Sequence, residues 1–122
     1  MVNKKILMVD DEPAFLQLMS DYFKSYQYDV SIADNLEDAV KLFRREKPKV
    51  VLLDYQMPIV TGEQLLPMLQ SMDPMIRVIV LTGFLKEEVE EKFKGLGYYA
   101  FFRKGDLSLE ELKEKVEEAF LV

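Results

Sequence analysis

The chain has 122 residues, enough for one domain with a single hydrophobic core, and 49% of them are hydrophobic. Its formal net charge of −6 argues against binding to nucleic acid or to an anionic membrane surface, because both need a basic face. Cysteine and histidine are absent, which excludes disulfides, thiolate metal sites and every catalytic arrangement that depends on imidazole.

Short apolar runs alternate with longer amphipathic segments along the whole chain, a pattern typical of strands and helices that follow each other. Residues 4–9 predict a first strand. Pro13 to about Tyr26 predicts a helix, because proline suits the first helical turn. Its helically spaced apolar residues are Phe15, Leu18, Met19, Tyr22, Phe23 and Tyr26. The next predicted elements are a strand at residues 30–33, a helix capped by Asn35 that runs to about Glu46, and a strand at residues 49–53.

The second half of the chain continues the alternation. A loop with proline and glycine occupies residues 54–62, and a helix follows from about Glu63 to Met72. Pro67 lies inside that helix and predicts either a later start or a kink. The remaining predicted elements are a strand at residues 76–81, a helix at 86–94, a strand at 98–103 and a last helix that opens with a capping box at Ser108 and runs to about Phe120.

Five strand–helix pairs in succession predict a parallel sheet covered by helices on both faces. We therefore expect an α/β fold of the flavodoxin-like kind, a (βα)5 three-layer sandwich whose parallel five-stranded sheet has the order 2-1-3-4-5. In that order the chain reverses direction between the first and third strands, and open α/β sheets bind ligands at such a switch point. Asp10 and Asp11 follow one of these two strands, and Asp54 follows the other.

Hydrophilic residues stand where four of the predicted strands end: Asp10, Asp11, Asp54, Thr82 and Lys104. For any one acid, capping the next helix is a sufficient explanation, but Asp54 has no helix start close enough to cap. Carboxylates gather a hard divalent cation, while a lysine and a hydroxyl suit a phosphoryl group. The set indicates phosphoryl transfer to an aspartate, which needs no general base because aspartate is ordinarily ionised at neutral pH.

These residues resemble the receiver domain of two-component response regulators, and the resemblance covers the whole chain, residues 1–122. Single-domain receivers of the sporulation-phosphorelay or chemotaxis kind are about this long. The motifs stand in the family's order and approximate spacing: the Asp10-Asp11 pair, Asp54 followed by Met57-Pro58 and Gly62, Thr82-Gly83, and Lys104.

The resemblance implies a role for each of these residues. Asp54 would accept a phosphoryl group from a histidine kinase or a histidine phosphotransfer protein. Asp11, Asp54 and the backbone carbonyl of Gln56 would ligate Mg²⁺ (or Mn²⁺), and Asp10 would bind the ion through water. Lys104 would pair first with Asp54 and then with the phosphate.

The resemblance also implies a conformational switch. Thr82 would swing inward to hydrogen-bond the phosphate, and Phe101 would turn inward as Thr82 moves. A strand aromatic that simply packs in the core is the alternative interpretation of Phe101. The output face of the family consists of the fourth helix, the fifth strand and the last helix, which would control a downstream protein or an effector domain. The narrow apolar stripe of the fourth helix makes it one of the easier elements to shift. A plain solvated helix is the alternative interpretation, and the sequence alone favours it.

Four positions bear on partners and on the phosphate lifetime. On the first helix, Phe15 and Leu18 are candidates for contact with the kinase or phosphotransfer domain, although most of that stripe should pack on the sheet. Gly105 stands where the family usually has a proline after a cis peptide. A non-proline cis bond costs roughly 3 kcal/mol, so we expect a trans bond and altered partner docking there. Bulky Phe84 should shield the acyl phosphate from water and slow its loss.

Three alternative functions fit the sequence less well. A haloacid-dehalogenase-like phosphatase needs an aspartate two residues after its nucleophile, where this chain has Gln56, and its cap insertion has no room here. A flavodoxin needs a phosphate loop rich in Ser, Thr and Gly, whereas the loop at residues 10–13 is acidic. A receiver-like interaction module that is never phosphorylated would not need the intact acid set.

The sequence leaves several partners and properties open. The cognate kinase, the output and dimerisation on phosphorylation are unresolved, as is the choice between a stand-alone protein and a fragment of a larger regulator. Direct contact with nucleic acid or membrane is not expected. Met1 is followed by polar residues and a short apolar run that fits no signal peptide, so we expect a cytoplasmic protein.

Overall fold

The computed structural model describes residues 4–57 and 60–121, apart from the side chain of Lys86. Strands and helices alternate as predicted, and their ends agree with the predicted ends to within two residues. The elements are β1 (Lys5–Val9), α1 (Pro13–Lys24), β2 (Asp29–Ala33), α2 (Leu36–Glu46), β3 (Val50–Asp54), α3 (Gly62–Met72), β4 (Arg77–Thr82), α4 (Lys86–Phe93), β5 (Ala100–Arg103), a 3₁₀ turn (Lys104–Asp106) and α5 (Leu109–Leu121).

The strands of the described chain form one parallel sheet in the order β2-β1-β3-β4-β5, which confirms the predicted topology. Strand β1 lies between β2 and β3, so that Ile6 stands opposite Val30 on one side and Val50 on the other. The chain therefore reverses direction between β1 and β3. The carboxyl ends of these strands carry Asp10 and Asp54, and this edge is where ligands bind in such sheets.

Two hydrophobic cores lie on opposite faces of the sheet, as a three-layer sandwich requires. Alternate residues of each central strand face opposite sides. On one face Met8 and Leu52 pack against residues of α1 and α5. On the other face Val9 and Leu53 pack against residues of α2, α3 and α4. Every residue of β3 is buried, which matches the expectation for a strand covered on both faces.

Only part of the apolar stripe predicted for α1 is buried against the sheet. The buried residues are Leu16, Met19, Ser20 and Phe23, which recur at helical spacing. By contrast, Leu18 is 56% exposed and Tyr26 46% exposed. Helix α1 carries more apolar residues than one stripe can bury, and only the sheet decides which of them turn inward.

Helix starts follow local side-chain chemistry. The Asn35 side chain accepts a hydrogen bond of 2.8 Å from the Asp38 backbone N–H at the start of α2. Ser108 Oγ accepts one from the Glu111 backbone N–H at 3.3 Å, as its predicted capping role requires. Helix α3 begins at Gly62 and continues through Pro67, so the predicted late start is wrong. Among the helices in the described part of the chain, none has the length and apolar character needed to cross a bilayer.

Candidate functional site

The carboxyl ends of β1 and β3 bring two buried aspartates together. Asp10 is 3% exposed and Asp54, the last residue of β3, is 5% exposed. Asp11 and Glu12 lie on the exposed turn before α1. One carboxylate oxygen from each of these four acids lies within 4.8 Å of the others. Hard divalent cations with oxygen ligands, such as Mg²⁺, suit this donor set.

Lys104 reaches this acid cluster from the end of β5. Its Nζ lies 2.7 Å from Asp10 Oδ2 and 2.7 Å from Glu12 Oε1, but 3.7 Å from Asp54 Oδ2. The expected pairing of Lys104 with Asp54 is present as an ion pair, but Asp10 and Glu12 lie closer to the ammonium. Glu12 approaches the ammonium from the turn before α1. Sequence reasoning assigned Glu12 no role in the site, although it is the third acid of an uninterrupted run.

The pocket changes the protonation of its carboxyl groups. Burial raises the pKa of Asp54 to about 7, and the charge of Asp10 adds to this effect, while Lys104 and the Gln56 backbone N–H work against it. Burial likewise raises the pKa of Asp10. In the pocket without a cation, Asp54 therefore keeps its proton to a higher pH than the ordinary aspartate expected from the sequence. A bound cation would favour the ionised form.

Lys104 stays charged in spite of its surroundings. Burial works against its charged form, but hydrogen bonds to Asp10 and Glu12 raise the pKa of Lys104 overall. The ammonium also lies 4.4 Å from the centre of the Phe15 ring, within the range of a cation–π contact. Phe15 was considered as a docking residue, and the structure places its half-buried ring against the site lysine.

Thr82 is the last residue of β4, and it is fully buried. It lies next to Asp54 across the sheet, because Asp54 stands opposite Leu81 in the β3–β4 ladder. The Thr82 Oγ1 atom accepts a hydrogen bond of 3.1 Å from the backbone N–H of Phe84. A hydroxyl can accept one bond and still donate another. Thr82 is therefore able to donate to a group on Asp54 while its Phe84 bond stays in place.

A chain of aromatic rings leads from the pocket toward α4 and β5. Phe84, 38% exposed, meets Tyr55 edge to face with ring centres 5.8 Å apart. Tyr55 meets Phe93 of α4 at 5.8 Å, and Phe93 meets Phe101 of β5 at 6.2 Å. The half-buried Phe101 also contacts Tyr98 at 6.0 Å. Tyr55 was missed by sequence reasoning, although its place directly after Asp54 is the signal that could have found it.

Gly62 closes the loop that follows Asp54. Its backbone N–H donates a bond of 2.7 Å to the carbonyl of Tyr55. A Cβ atom at Gly62 would lie 2.7 Å from the Asp54 backbone oxygen, which is too close for any side chain. Steric contact with the Asp54 backbone therefore explains why glycine stands at position 62. Pro58, another residue of the quoted motif, lies outside the described residues.

The other predicted partner residues lie at the rim. Leu18 projects from α1 into solvent. Gly105 lies in the 3₁₀ turn after β5, and its peptide bond to Lys104 is trans, as expected. The Arg103 guanidinium lies beside Gly105 and pairs with Asp106 at 3.3 Å.

Comparison with known proteins identifies the family of this fold and site. Residues 6–117 match the family model described as the response regulator receiver domain. The chain belongs to this family. This confirms the resemblance that the sequence motifs carried, and it makes the chain a receiver domain that acts as a phosphorylation-activated signalling switch rather than as a conventional enzyme.

The receiver domain is similar over nearly its whole length to three proteins. It is 31% identical over 117 residues to sporulation initiation phosphotransferase F of Bacillus subtilis, covering 96% of this chain and 94% of that protein. It superposes on a CheY-like receiver domain protein of Methanospirillum hungatei with a TM-score of 0.88 at 26% identity, covering 96% and 93% of the two chains. A response regulator of Thermotoga maritima, solved with Mg²⁺ and BeF, gives 0.83 at 28% identity, covering 95% and 98%. Other curated relatives are longer, and the chain spans 39% of one of them.

Proposed function

We propose that Asp54 is the phosphoacceptor of this receiver domain. The observation that carries the proposal is the position of Asp54, a buried carboxylate at the switch point of the sheet, 3.7 Å from Lys104 Nζ and inside the cluster of four acids. No other described carboxylate combines burial, a strand end at the switch point and a neighbouring lysine, except Asp10. The ammonium hydrogen-bonds Asp10 at 2.7 Å, which leaves Asp54 as the acid that is free to react.

The reaction is a phosphoryl transfer from a phosphohistidine on a histidine kinase or a histidine phosphotransfer protein. A carboxylate oxygen of Asp54 attacks the phosphorus, and the bond from phosphorus to the imidazole nitrogen breaks. The nitrogen keeps the electron pair, and Asp54 becomes an acyl phosphate. Lys104 and the hydroxyl of Thr82 stabilise the charge that spreads over the phosphoryl oxygens. The same proposal includes the later hydrolysis of the acyl phosphate, which the chain would also catalyse on itself.

The acid cluster suits a divalent cation. Asp11, Asp54 and the backbone carbonyl of Gln56 would hold Mg²⁺ (or Mn²⁺), with Asp10 acting through water. The raised pKa of Asp54 reflects buried negative charge that Lys104 alone does not offset. When bound, the cation supplies positive charge beside the transferring group. The chain's own part is to keep the carboxylates close together, and the cation would favour the ionised form of Asp54.

The phosphorylation signal would pass to the face formed by α4, β5 and α5, through Thr82 and Phe101. Among the described side chains of α4, Val89 and Phe93 are the buried ones, whereas Leu85 before the helix is 46% exposed. Few buried contacts hold α4 to the sheet, so a small change beside Thr82 is able to shift it. That face would control a downstream protein or an effector domain. Docking through Phe15, Leu18 and Gly105, a homodimer and a cytoplasmic location stay predictions.

Intact-mass measurement tests the proposal. The native chain and Asp54→Asn are incubated with acetyl phosphate, with and without Mg²⁺. We expect one added phosphate on the native chain with Mg²⁺, and none on the variant or without the cation. A phosphate that persists in the variant would place the acceptor elsewhere. A folded native chain without an adduct would favour an interaction module, and continuous release of inorganic phosphate would favour a phosphatase.

A further inference from the structure

The ammonium of Lys104 lies closer to Asp10 and Glu12 than to the proposed phosphoacceptor, Asp54. An ammonium has three donors. Two of them are engaged at 2.7 Å by Asp10 and Glu12, while Asp54 at 3.7 Å lies beyond hydrogen-bond distance. The Phe15 ring, 4.4 Å from Nζ, flanks the same ammonium. A phosphoryl oxygen on Asp54 that takes more than the third donor, or that draws Nζ toward Asp54, therefore competes with Asp10 and Glu12 for the ammonium.

The two close partners of Lys104 are not equally easy to release. Asp10 is buried, and its other carboxylate oxygen already accepts a hydrogen bond of 2.9 Å from the Glu12 backbone N–H. The Glu12 side chain is 62% exposed, so water can solvate its carboxylate as soon as Lys104 leaves. The Glu12 contact is thus the one that breaks at lower free-energy cost.

We propose that Glu12 is a positioning residue that holds Lys104 in an unphosphorylated arrangement and slows phosphoryl transfer to Asp54. Glu12 acts through Lys104 and does not touch the reacting atoms. When a phosphoryl group arrives, Lys104 exchanges Glu12 for a phosphoryl oxygen and keeps Asp10. The inference rests on the proposed phosphorylation of Asp54. It adds a restraint on the rate of phosphorylation that Asp10 and Asp54 by themselves would not provide, and we call this restraint the brake.

The first test compares two single-charge variants. Glu12→Gln keeps the shape of the side chain and removes its charge, and Glu37→Gln removes the same charge from an exposed position on α2. The initial rate of adduct formation from acetyl phosphate is measured by intact mass at saturating Mg²⁺. An exposed ion pair of ordinary strength predicts a rate about two- to fivefold higher for Glu12→Gln. Glu37→Gln should behave as the native chain does.

The second test asks whether Glu12 acts through the lysine. The same comparison is made in a Lys104→Met background, with adduct accumulation followed over hours so that slow rates remain measurable. Lys104→Gln serves as the background if circular dichroism shows that Lys104→Met is unfolded. The rate increase from Glu12→Gln should disappear. An equal increase in both backgrounds would mean that Glu12 merely repels the anionic donor, and this outcome overturns the proposal.

Calorimetric titration with Mg²⁺ separates the brake from a metal ligand. Glu12→Gln should bind Mg²⁺ as the native chain does, and a large loss of affinity would assign Glu12 to the cation and overturn the proposal. If Glu12→Gln and the native chain form adduct at equal rates, the brake is absent while the phosphoacceptor stands. If the native chain forms no adduct, the proposed function itself fails.

Discussion

The two sides of the phosphoryl pocket are held together by different forces. The acid side consists of Asp10, Glu12, Asp54 and Lys104, with the lysine 2.7 Å from its two nearest acids. The aromatic side consists of Tyr55, Phe84, Phe93 and Phe101, whose successive ring centres lie 5.8 to 6.2 Å apart. Charge contacts in a buried pocket respond strongly to a cation, a proton or a phosphate. A single ring contact is worth only about 0.5–1.5 kcal/mol, so a change in the geometry of one ring pair costs less than the loss of a buried charge contact.

This difference suggests how the pocket works as a switch. A change of charge on the acid side alters the free energy by several kcal/mol, at about 1.4 kcal/mol per unit of pKa shift. The aromatic side starts at Tyr55, directly after Asp54, and ends on α4 and β5. We expect it to convert an electrostatic change into a shift of packing. Variants on each side should therefore differ in size and in their response to pH and Mg²⁺.

The largest expected effect on stability lies at the buried centre of the aromatic side. Phe93 is fully buried, and Phe93→Ala should lower the free energy of unfolding by about 3–5 kcal/mol through lost burial and a cavity. Denaturant unfolding monitored by circular dichroism measures this change. Phe84→Ala, at a 38% exposed ring, is the matched control. Equal losses in the two variants would contradict the larger contribution expected of the buried Phe93 ring.

The second prediction concerns the charge of one group on the acid side, the Asp54 carboxylate. The pKa of Asp54 is raised to about 7 in the folded protein, against about 3.9 in an unfolded chain. The native state therefore binds more protons between these values, and stability falls as the pH rises from about 4 to 7. Asp54→Asn removes this loss. Without Mg²⁺ it should raise the free energy of unfolding at pH 8 by on the order of 4 kcal/mol.

The pH and cation dependence of Asp54→Asn checks this interpretation. The gain should vanish below about pH 4, where Asp54 is protonated in both states, and saturating Mg²⁺ should reduce it by stabilising the native carboxylate. Asp29→Asn, on the exposed first residue of β2, is the control and should show neither behaviour. A gain that is the same at pH 4 and pH 8 would show that charge is not its cause.

The third effect concerns the loop that joins the two sides. Gly62→Ala places a Cβ atom 2.7 Å from the Asp54 backbone oxygen, so the backbone must shift. We expect a loss of about 1–3 kcal/mol in the free energy of unfolding, together with slower phosphorylation because Asp54 moves. Gly83→Ala is a sharp control, since nothing lies within 4 Å of its added Cβ. Thermal melts and adduct rates of the two variants should diverge accordingly.

The smallest effect on stability is expected at the rim of the aromatic side. Phe84→Ala should cost less than about 1 kcal/mol, because its ring is partly exposed. If Phe84 shields the acyl phosphate, the variant should lose phosphate faster than the native chain after acetyl phosphate is removed. The decay of the phosphorylated mass over time measures this. An unchanged decay rate, or loss within seconds from the native chain, would remove the shielding role.

Most of the fold was predictable from local patterns in the sequence. Fully apolar runs such as residues 50–53 identify strands covered on both faces, and amphipathic segments with caps such as Asn35 identify helices. Their strict alternation leaves few topologies other than a parallel sheet with a switch point. The strand-end positions of Asp10, Asp54, Thr82 and Lys104 then follow, because parallel strands share their carboxyl edge.

What the sequence by itself determined was therefore the set of elements, their order and the acids at the switch point, since these depend on residue type and spacing. Tertiary structure decided which face of α1 is buried, because that helix has more apolar residues than one stripe can hold. It also decided the contact between Glu12 and Lys104, which are 92 positions apart. The raised pKa of Asp54 was decided there too, because burial and the neighbouring charge of Asp10 exist only once the chain has folded.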